Sequence, residues 1–415
     1  MSFAPTFSPL DLRAGPGAGA LERVRKLASL EIAAVTNRLA RTFVIGSQFA
    51  PALAIVGGEI ILGDLEAAAF GATRASITGN GESVEMALVS CLAEGAEFLS
   101  QFERPGDVWA IKSNGEPERA AIVSGWISDL IAHAGQPLQW VCARDAATGC
   151  QALLPADLCL RRPPTPHSVA FPRPLSAGVA AGPNFEAAAG RAILELCERD
   201  AAAFWWLGGK PARGFPADHQ ASRGAIAITE RLRRGITTRT GWILDITTDI
   251  GIPVVAAVSL DQDGRGLACG LAARLDVVEA VNAAVLEMCQ MELAAPLAAV
   301  KCAEAGEGAL NEADRRHLRR AAALAADCAL LRPVGVSPLQ PLASTNRQLD
   351  ELVRRLTNQG ITIYLLDLTR TDIGVSVVRA VSPSLQPFTA TVSAERFRQA
   401  GNQLAEGGKQ GVPLM

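Results

Sequence analysis

Ser90-Cys91-Leu92-Ala93-Glu94-Gly95-Ala96-Glu97, Glu195-Leu196-Cys197-Glu198-Arg199-Asp200 and Glu287-Met288-Cys289-Gln290 are three stretches of one kind. Each sets a pair of polar, metal-capable side chains at i and i+3, on one face of a helix. Their neighbours are largely small or apolar, so that face is expected to point inward. Carboxylates gathered in an interior need a cation, and magnesium with nucleotide phosphates is the usual answer. Taken singly, an i, i+3 glutamate pair is ordinarily a solvated face, and Arg199 can simply pair with Asp200 or Glu195. Three such pairs, two of them preceded by glycines, shift the balance toward a site.

Around these helices the chain alternates. Residues 21 to 41 have helical spacing, and residues 43 to 63 (FVIGSQFAPALAIVGGEIILG) read as strand and hairpin. Ser76-Ile77-Thr78-Gly79-Asn80-Gly81 reads as a turn before a helix from about 82 to 102. Residues 151 to 175 carry six prolines between Pro155 and Pro174 and read as an extended surface connection. Gly178-Val179-Ala180-Ala181-Gly182 opens a second long helix, about 186 to 207. The glycines before both helices would let backbone N–H groups approach an anion at a helix start. Residues 242 to 260 read as strand, turn, strand, and a third helix runs from about 277 to 293. Residues 303 to 330 and 346 to 358 read as helical, 361 to 367 and 375 to 381 as strands, and the tail from Gly401 as mobile. The recurrence of glycines followed by an acidic helix hints at internal duplication.

Composition narrows the classes. The 415 residues are 49% hydrophobic and 20% charged, a globular balance with room for two or three subdomains. A net charge of -3 gives no basic surface for nucleic acid. The nine cysteines contain no CxxC pair and the four histidines are dispersed, which argues against structural zinc. Free thiols in this number fit a reducing cytoplasm. No signal peptide is evident, and no window reaches the ~20 uninterrupted apolar residues of a membrane span.

At these residues the sequence resembles the YcaO family, from about Ser76 to about Pro387. Ser76 to Gly81 followed by Ser90, Glu94 and Glu97 looks like its first nucleotide motif. Gly178 to Gly182 followed by Glu195, Glu198, Arg199 and Asp200 looks like the second, and Glu287 with Gln290 like the third. Asp245 to Val255, and Asp367 to Gly374 with Val377-Val378-Arg379, resemble two further family segments. The joint order makes the match specific.

The resemblance implies an α+β fold of mixed and antiparallel sheets flanked by long helices, with the nucleotide site between helices. It implies an N-terminal helix and strand region (1–70), a catalytic domain (71–390) and a C-terminal tail (391–415). The implied activity is that of an ATP- and Mg2+-dependent cyclodehydratase, which phosphorylates backbone amide oxygens of a ribosomal precursor peptide. Ring closure by Cys, Ser or Thr then gives thiazolines or oxazolines. A thioamide-forming enzyme with a sulfur-delivering partner and a non-catalytic scaffold are the alternatives. By carry-over, Glu94, Glu97, Glu195 and Glu198 form the metal set. Ser90, Arg199, Glu287 and Gln290 contact nucleotide, with Glu186 as a further candidate. Implied partners are the precursor, a separate leader-binding E1-like protein, a flavin-dependent dehydrogenase and a second copy of the chain. The chain departs from the family pattern at Phe98 and Ala283, where arginine is common, and at Ala177. It also lacks a Pro-x-Pro-x-Pro ending. Arg274 is the candidate to supply a missing positive charge.

Overall fold

The computed structural model describes residues 6–12, 19–24, 33–108, 121–122, 127, 138–163, 177–340, 348–388, 392–401 and 414. The β-branched run after Arg38 forms the centre of a first, antiparallel sheet. Its order is β1 (Thr6–Pro9), β2 (Leu39–Gly46), β3 (Ala54–Ile61) and β4 (Arg74–Gly81). A six-stranded sheet has the order β5 (Ala121–Ile122), β7 (Gln151–Pro155), β6 (Trp140–Asp145), β12 (Tyr364–Asp367), β13 (Ser376–Val381) and β8 (Val179–Gly182). Only its β5–β7 pair is parallel. The third sheet is antiparallel, in the order β11 (Ala268–Ala273), β10 (Val254–Asp261) and β9 (Arg239–Asp245).

One end of each sheet does the same thing. The edge strands β4, β8 and β11 lead directly into the helices Val84–Ser100, Phe185–Ala202 and Val277–Met291. Each helix start is fixed by its own cap. Ser83 Oγ accepts from Met86 N at 3.2 Å, Asn184 Oδ1 from Ala187 N at 2.9 Å, and Asp276 Oδ1 from Val278 N at 2.8 Å. Every helix packs on its own strand and also reaches the edge strand of another unit. Val84–Ser100 touches β8, Phe185–Ala202 touches β11, and Val277–Met291 touches β4. The three strand–helix units thus close into a ring.

Two expected turns are strands. Ser76 to Gly81 belongs to β4 and Val179 to Gly182 is β8, edge strands buried at alternate residues and throughout, respectively. The glycines serve close packing of strand on helix, and do not open the helix starts to an anion. A Cβ on Gly79 would lie 2.2 Å from Cys91 N, one on Gly182 2.5 Å from Ala188 N, and one on Gly270 2.2 Å from Ala284 O. Backbone cannot yield as a side chain tip can. Gly270→Ala is therefore expected to cost about 2–3 kcal/mol of stability in urea unfolding. A change under about 0.5 kcal/mol, the range of an indifferent surface substitution, would contradict this packing.

Other differences have local causes. The first helical region ends at Asn37, and β2 has begun by Leu39. Residues 151 to 160 are not a surface connection: they form β7 and a short helix, with Leu154, Cys159 and Leu160 buried. Residues 164–175 of that proline-rich stretch lie outside the described residues. The expected 303–330 helix is divided into Ala294–Ala305 and Glu312–Ala323 around Gly306, whose φ is 79°. Of the tail, Glu395–Gln399 is helical and Leu414 is buried. The expected mobility falls on 402–413 and 415, outside the described residues. One stretch, Val277–Ala305, is long and apolar enough by composition to cross a membrane. Here it is two helices, and its junction holds Glu292 in a buried ion pair with Arg233.

Candidate active site

An edge strand leaves outward backbone N–H groups without a strand partner, and a buried one must find an acceptor. Glutamates on the three helices supply them. Thr78 N donates to Glu94 Oε2 at 2.9 Å, Gly178 N to Glu195 Oε2 at 3.1 Å, and Leu271 N to Glu287 Oε2 at 2.8 Å. The sequence separations are 16, 17 and 16 residues, so the first acid of each pair caps its own strand.

The second member of a pair turns toward the next unit. Glu97 Oε1 accepts from Ala181 N of β8 at 2.7 Å. Gln290 reaches β4, where its Oε1 accepts from Asn80 Nδ2 and its Nε2 donates to Thr78 Oγ1 at 3.4 Å. Glu198 is buried and pairs with Arg199 Nη1 at 3.6 Å, with Glu287, Glu195 and Arg274 within electrostatic reach.

Electrostatics follow from burial of like charges. Burial, reinforced by Glu195 and Glu94, pushes the Glu97 carboxyl up to about 8. Burial also pushes Glu198 up to about 8, against the pull of Arg199. Glu287 is raised by burial, which outweighs Arg199 and the Leu271 N–H. Glu94 keeps solvent on one side, yet the protein around it desolvates the carboxyl enough to raise its pKa as well. Arg199 is the central cation. It meets Glu195 at 3.3 Å, and Glu198, Glu195 and Glu287 together outweigh its burial and raise its pKa.

The expected residues do not all converge. Glu94, Glu97, Glu195, Glu198, Arg199, Glu287 and Gln290 form one network. Ser90 lies one turn before Glu94 and is exposed. Glu186 is exposed in the first turn of its helix, nine residues and about 13 Å along the axis from Glu195. Among the described residues, no three Asp, Glu, His or Cys side chains form a ready metal-holding group. Glu287, expected only at the nucleotide, sits electrostatically with Glu198.

Reading by residue type passed over Thr78 and Asn80, which anchor Gln290, and Arg191. Arg191 Nη1 donates to the Ala181 carbonyl at 3.0 Å, and its charge acts on Glu97. The signal for Arg191 was available, since it precedes Glu195 by four residues on the same helix face. Arg274 does stand among the acids, acting on Glu198 and Glu287. Phe98, where the family often has arginine, packs edge-on against Phe70 and Phe102 under the Arg161 guanidinium. The buried thiols are far from reactive: burial holds Cys159, Cys269 and Cys289 up at about 12.

No curated protein matches the chain. Among solved structures it is similar to a heterocyclase in complex with substrate and cofactor, with a TM-score of 0.68 and 22% identity. That match covers 93% of this chain and 55% of the heterocyclase, so the chain spans about half its length. It is also similar to YcaO from Methanopyrus kandleri bound with AMPPCP and Mg2+, with a TM-score of 0.64, 19% identity and coverage of 89% and 91%. A third likeness is to the E. coli microcin synthetase McbBCD complex, with a TM-score of 0.55, 14% identity and coverage of 80% and 85%. These likenesses establish the α+β fold. The family model described as YcaO cyclodehydratase, ATP- and Mg2+-binding, matches residues 78–386, from Thr78 beneath Glu94 to Gln386 beside Asp200. With all three acidic helices inside that match, the chain belongs to the YcaO family.

Proposed function

We propose that this protein is an ATP- and Mg2+-dependent cyclodehydratase subunit that activates backbone amides of a ribosomal precursor peptide. Closure of a Cys, Ser or Thr side chain onto the activated amide then forms a thiazoline or oxazoline. The observation that carries this reading is the crowding of Glu94, Glu97, Glu195, Glu198 and Glu287 around few guanidiniums. Carboxyls raised by burial, as Glu97, Glu198 and Glu287 are, stay stable only with shared protons or added cations.

These residues fit the cofactors. Mg2+ keeps several waters and takes one or two carboxylates together with phosphate oxygens, so it does not need a closed cage of three protein ligands. Glu94, Glu97, Glu195 and Glu198 would hold it, with Glu287 beside Glu198 as a further acid. Arg199, Arg191 and Arg274 present guanidiniums whose planar forks suit phosphate oxygens. Bound ATP supplies the phosphoryl group that turns an amide oxygen into a leaving group. The chain's own part is positioning and charge: the backbone N–H groups of Thr78, Gly178, Leu271 and Ala181 fix the carboxylates, and Asn80 fixes Gln290.

Leader recognition is assigned to a separate E1-like partner, with a flavin-dependent dehydrogenase acting on the rings and a second copy completing a homodimer. The test is to incubate chain, partner, precursor, ATP and Mg2+ and to weigh the peptide. Loss of one water per modified residue is expected. Exchange of oxygen for sulfur would make it a thioamide-forming enzyme, and unchanged mass without nucleotide turnover would make it a scaffold.

The raised carboxyls also fix a sign. Glu97 and Glu198 titrate near 8 in the folded protein, above their ordinary value of 4.5. Between those values the folded state holds more protons than the unfolded one, so stability falls as pH rises across that window. A bound cation favours the ionised form. Binding of Mg2+ with nucleotide at pH 7 is therefore expected to release protons. Calorimetry in buffers of different ionisation enthalpy measures that release, and a value of zero would contradict the protonated carboxyls.

A further inference from the structure

The Glu312–Ala323 helix carries a basic cluster that the chemistry above does not use. Arg316 and Arg320 stand at i and i+4 on one helix face, with His317 next to them. Arg320 is 2% exposed, while Arg316 and His317 are half-buried. Arg320 Nη1 donates to the Leu414 carbonyl, and its Nη2 lies 3.1 Å from His317 Nδ1. Yet the Nε groups of both Arg316 and Arg320 are buried with no hydrogen-bond acceptor. Arg316 has no ion pair among the described residues.

Two guanidiniums one turn apart repel each other, and orphaned buried donors add a desolvation cost. His317 Nδ1 accepts from Arg320 Nη2 but relieves neither the repulsion nor the two Nε donors. Burial, with Arg320 and Arg316 beside it, pushes its imidazole down to about 4, so it is neutral at pH 7 and offers no counter-charge. Cys269 of β11, a neutral thiol, and Glu287 of the acidic network lie within electrostatic reach of Arg320, which sets the cluster beside that network. Buried, like-charged donors that lack acceptors are relieved by an oxyanion, and the guanidinium fork matches tetrahedral oxygens.

We propose that Arg316, His317 and Arg320 form an oxyanion pocket that takes a phosphate group beside the acidic network. The pocket deepens the nucleotide-dependent reading and rests on it only for the source of the phosphate. That source is either the bound nucleotide or the free phosphate left when the activated amide collapses.

The test uses the full chain in Mg2+-free buffer, titrated with inorganic phosphate and followed by calorimetry and thermal unfolding. Chloride at equal ionic strength is the control. Phosphate is expected to raise the unfolding midpoint saturably, and Arg316→Gln to weaken phosphate binding at least about tenfold. In phosphate-free buffer the same variant is expected to unfold at the wild-type temperature or above, because a repulsive charge is gone; a merely structural arginine would show the opposite. An unaltered phosphate response in Arg316→Gln, or a wild type that treats phosphate and chloride alike, overturns the pocket. ATP that displaces phosphate assigns the pocket to the nucleotide, and joint binding assigns it to free phosphate. Glu198→Gln keeps the phosphate response if the pocket stands, so its failure and that of the cyclodehydratase reading are told apart.

Discussion

Glu198→Gln is expected to lower nucleotide turnover by about two to three orders of magnitude, the usual loss when one preorganised polar group is removed from a reacting site. The same variant is expected to stay folded and to become more stable near pH 8. Both effects have one origin. Glu198 is buried, its carboxyl is pushed up to about 8, and Glu287 and Glu195 oppose its ionisation. Glutamine keeps the shape and removes the charge, so repulsion is relieved while the acid that a cation needs is lost. The fall in stability between pH 4.5 and 8 should also become shallower than in the wild type. Steady-state turnover with Mg2+ and ATP, alongside urea unfolding at pH 6 and pH 8, reads both halves. Turnover within a few-fold of wild type would make the carboxylate structural.

Glu292→Ala should be the most damaging single change to stability, at about 3–5 kcal/mol, the cost of stranding buried charges. The carboxylate of Glu292 accepts from Arg233 Nη2 at 2.6 Å and Ser259 Oγ at 2.7 Å, and Arg239 Nε lies at 3.3 Å. Glu292 is 2% exposed and both arginines are nearly as enclosed. Burial lowers the pKa of Arg239, and Glu292 is the chief influence opposing it. Alanine would leave two cations in the interior with no acid between them. The stranded charges would lie next to the site's third helix, because Glu292 directly follows the helix that bears Glu287 and Gln290. Glu292→Gln, which still accepts hydrogen bonds, should cost less than Glu292→Ala. A loss under about 1 kcal/mol for the alanine variant, well short of the cost of a broken buried pair, would show that water reaches the pair.

Much of this molecule can be read locally. The i, i+3 spacing of Glu94 with Glu97, Glu195 with Glu198 and Glu287 with Gln290 placed each pair on one helix face. All three helices begin and end within five residues of the expected positions. The misreadings are also instructive. Gly79, Gly81 and Gly182 suggested turns because glycine is so often found there, but at these positions glycine admits a helix backbone onto an edge strand. Glu186 and Ser90 stand exposed outside the side-chain network and are kept as proposed nucleotide contacts. The basic cluster on Glu312–Ala323 was only an arginine-rich helix until burial distinguished Arg320 from its exposed neighbour Arg319.

The sequence by itself determined three acidic helices, the face on which each pair lies, and the family that their order resembles, because helical periodicity links residues only three or four apart. Tertiary structure alone decided that Glu97 meets Ala181, 84 residues away, and that Gln290 meets Thr78, 212 residues away. Those encounters depend on which edges of three separate sheets face one another. The pairing energy that sets this is spread over whole strands, and no short stretch of residues encodes it.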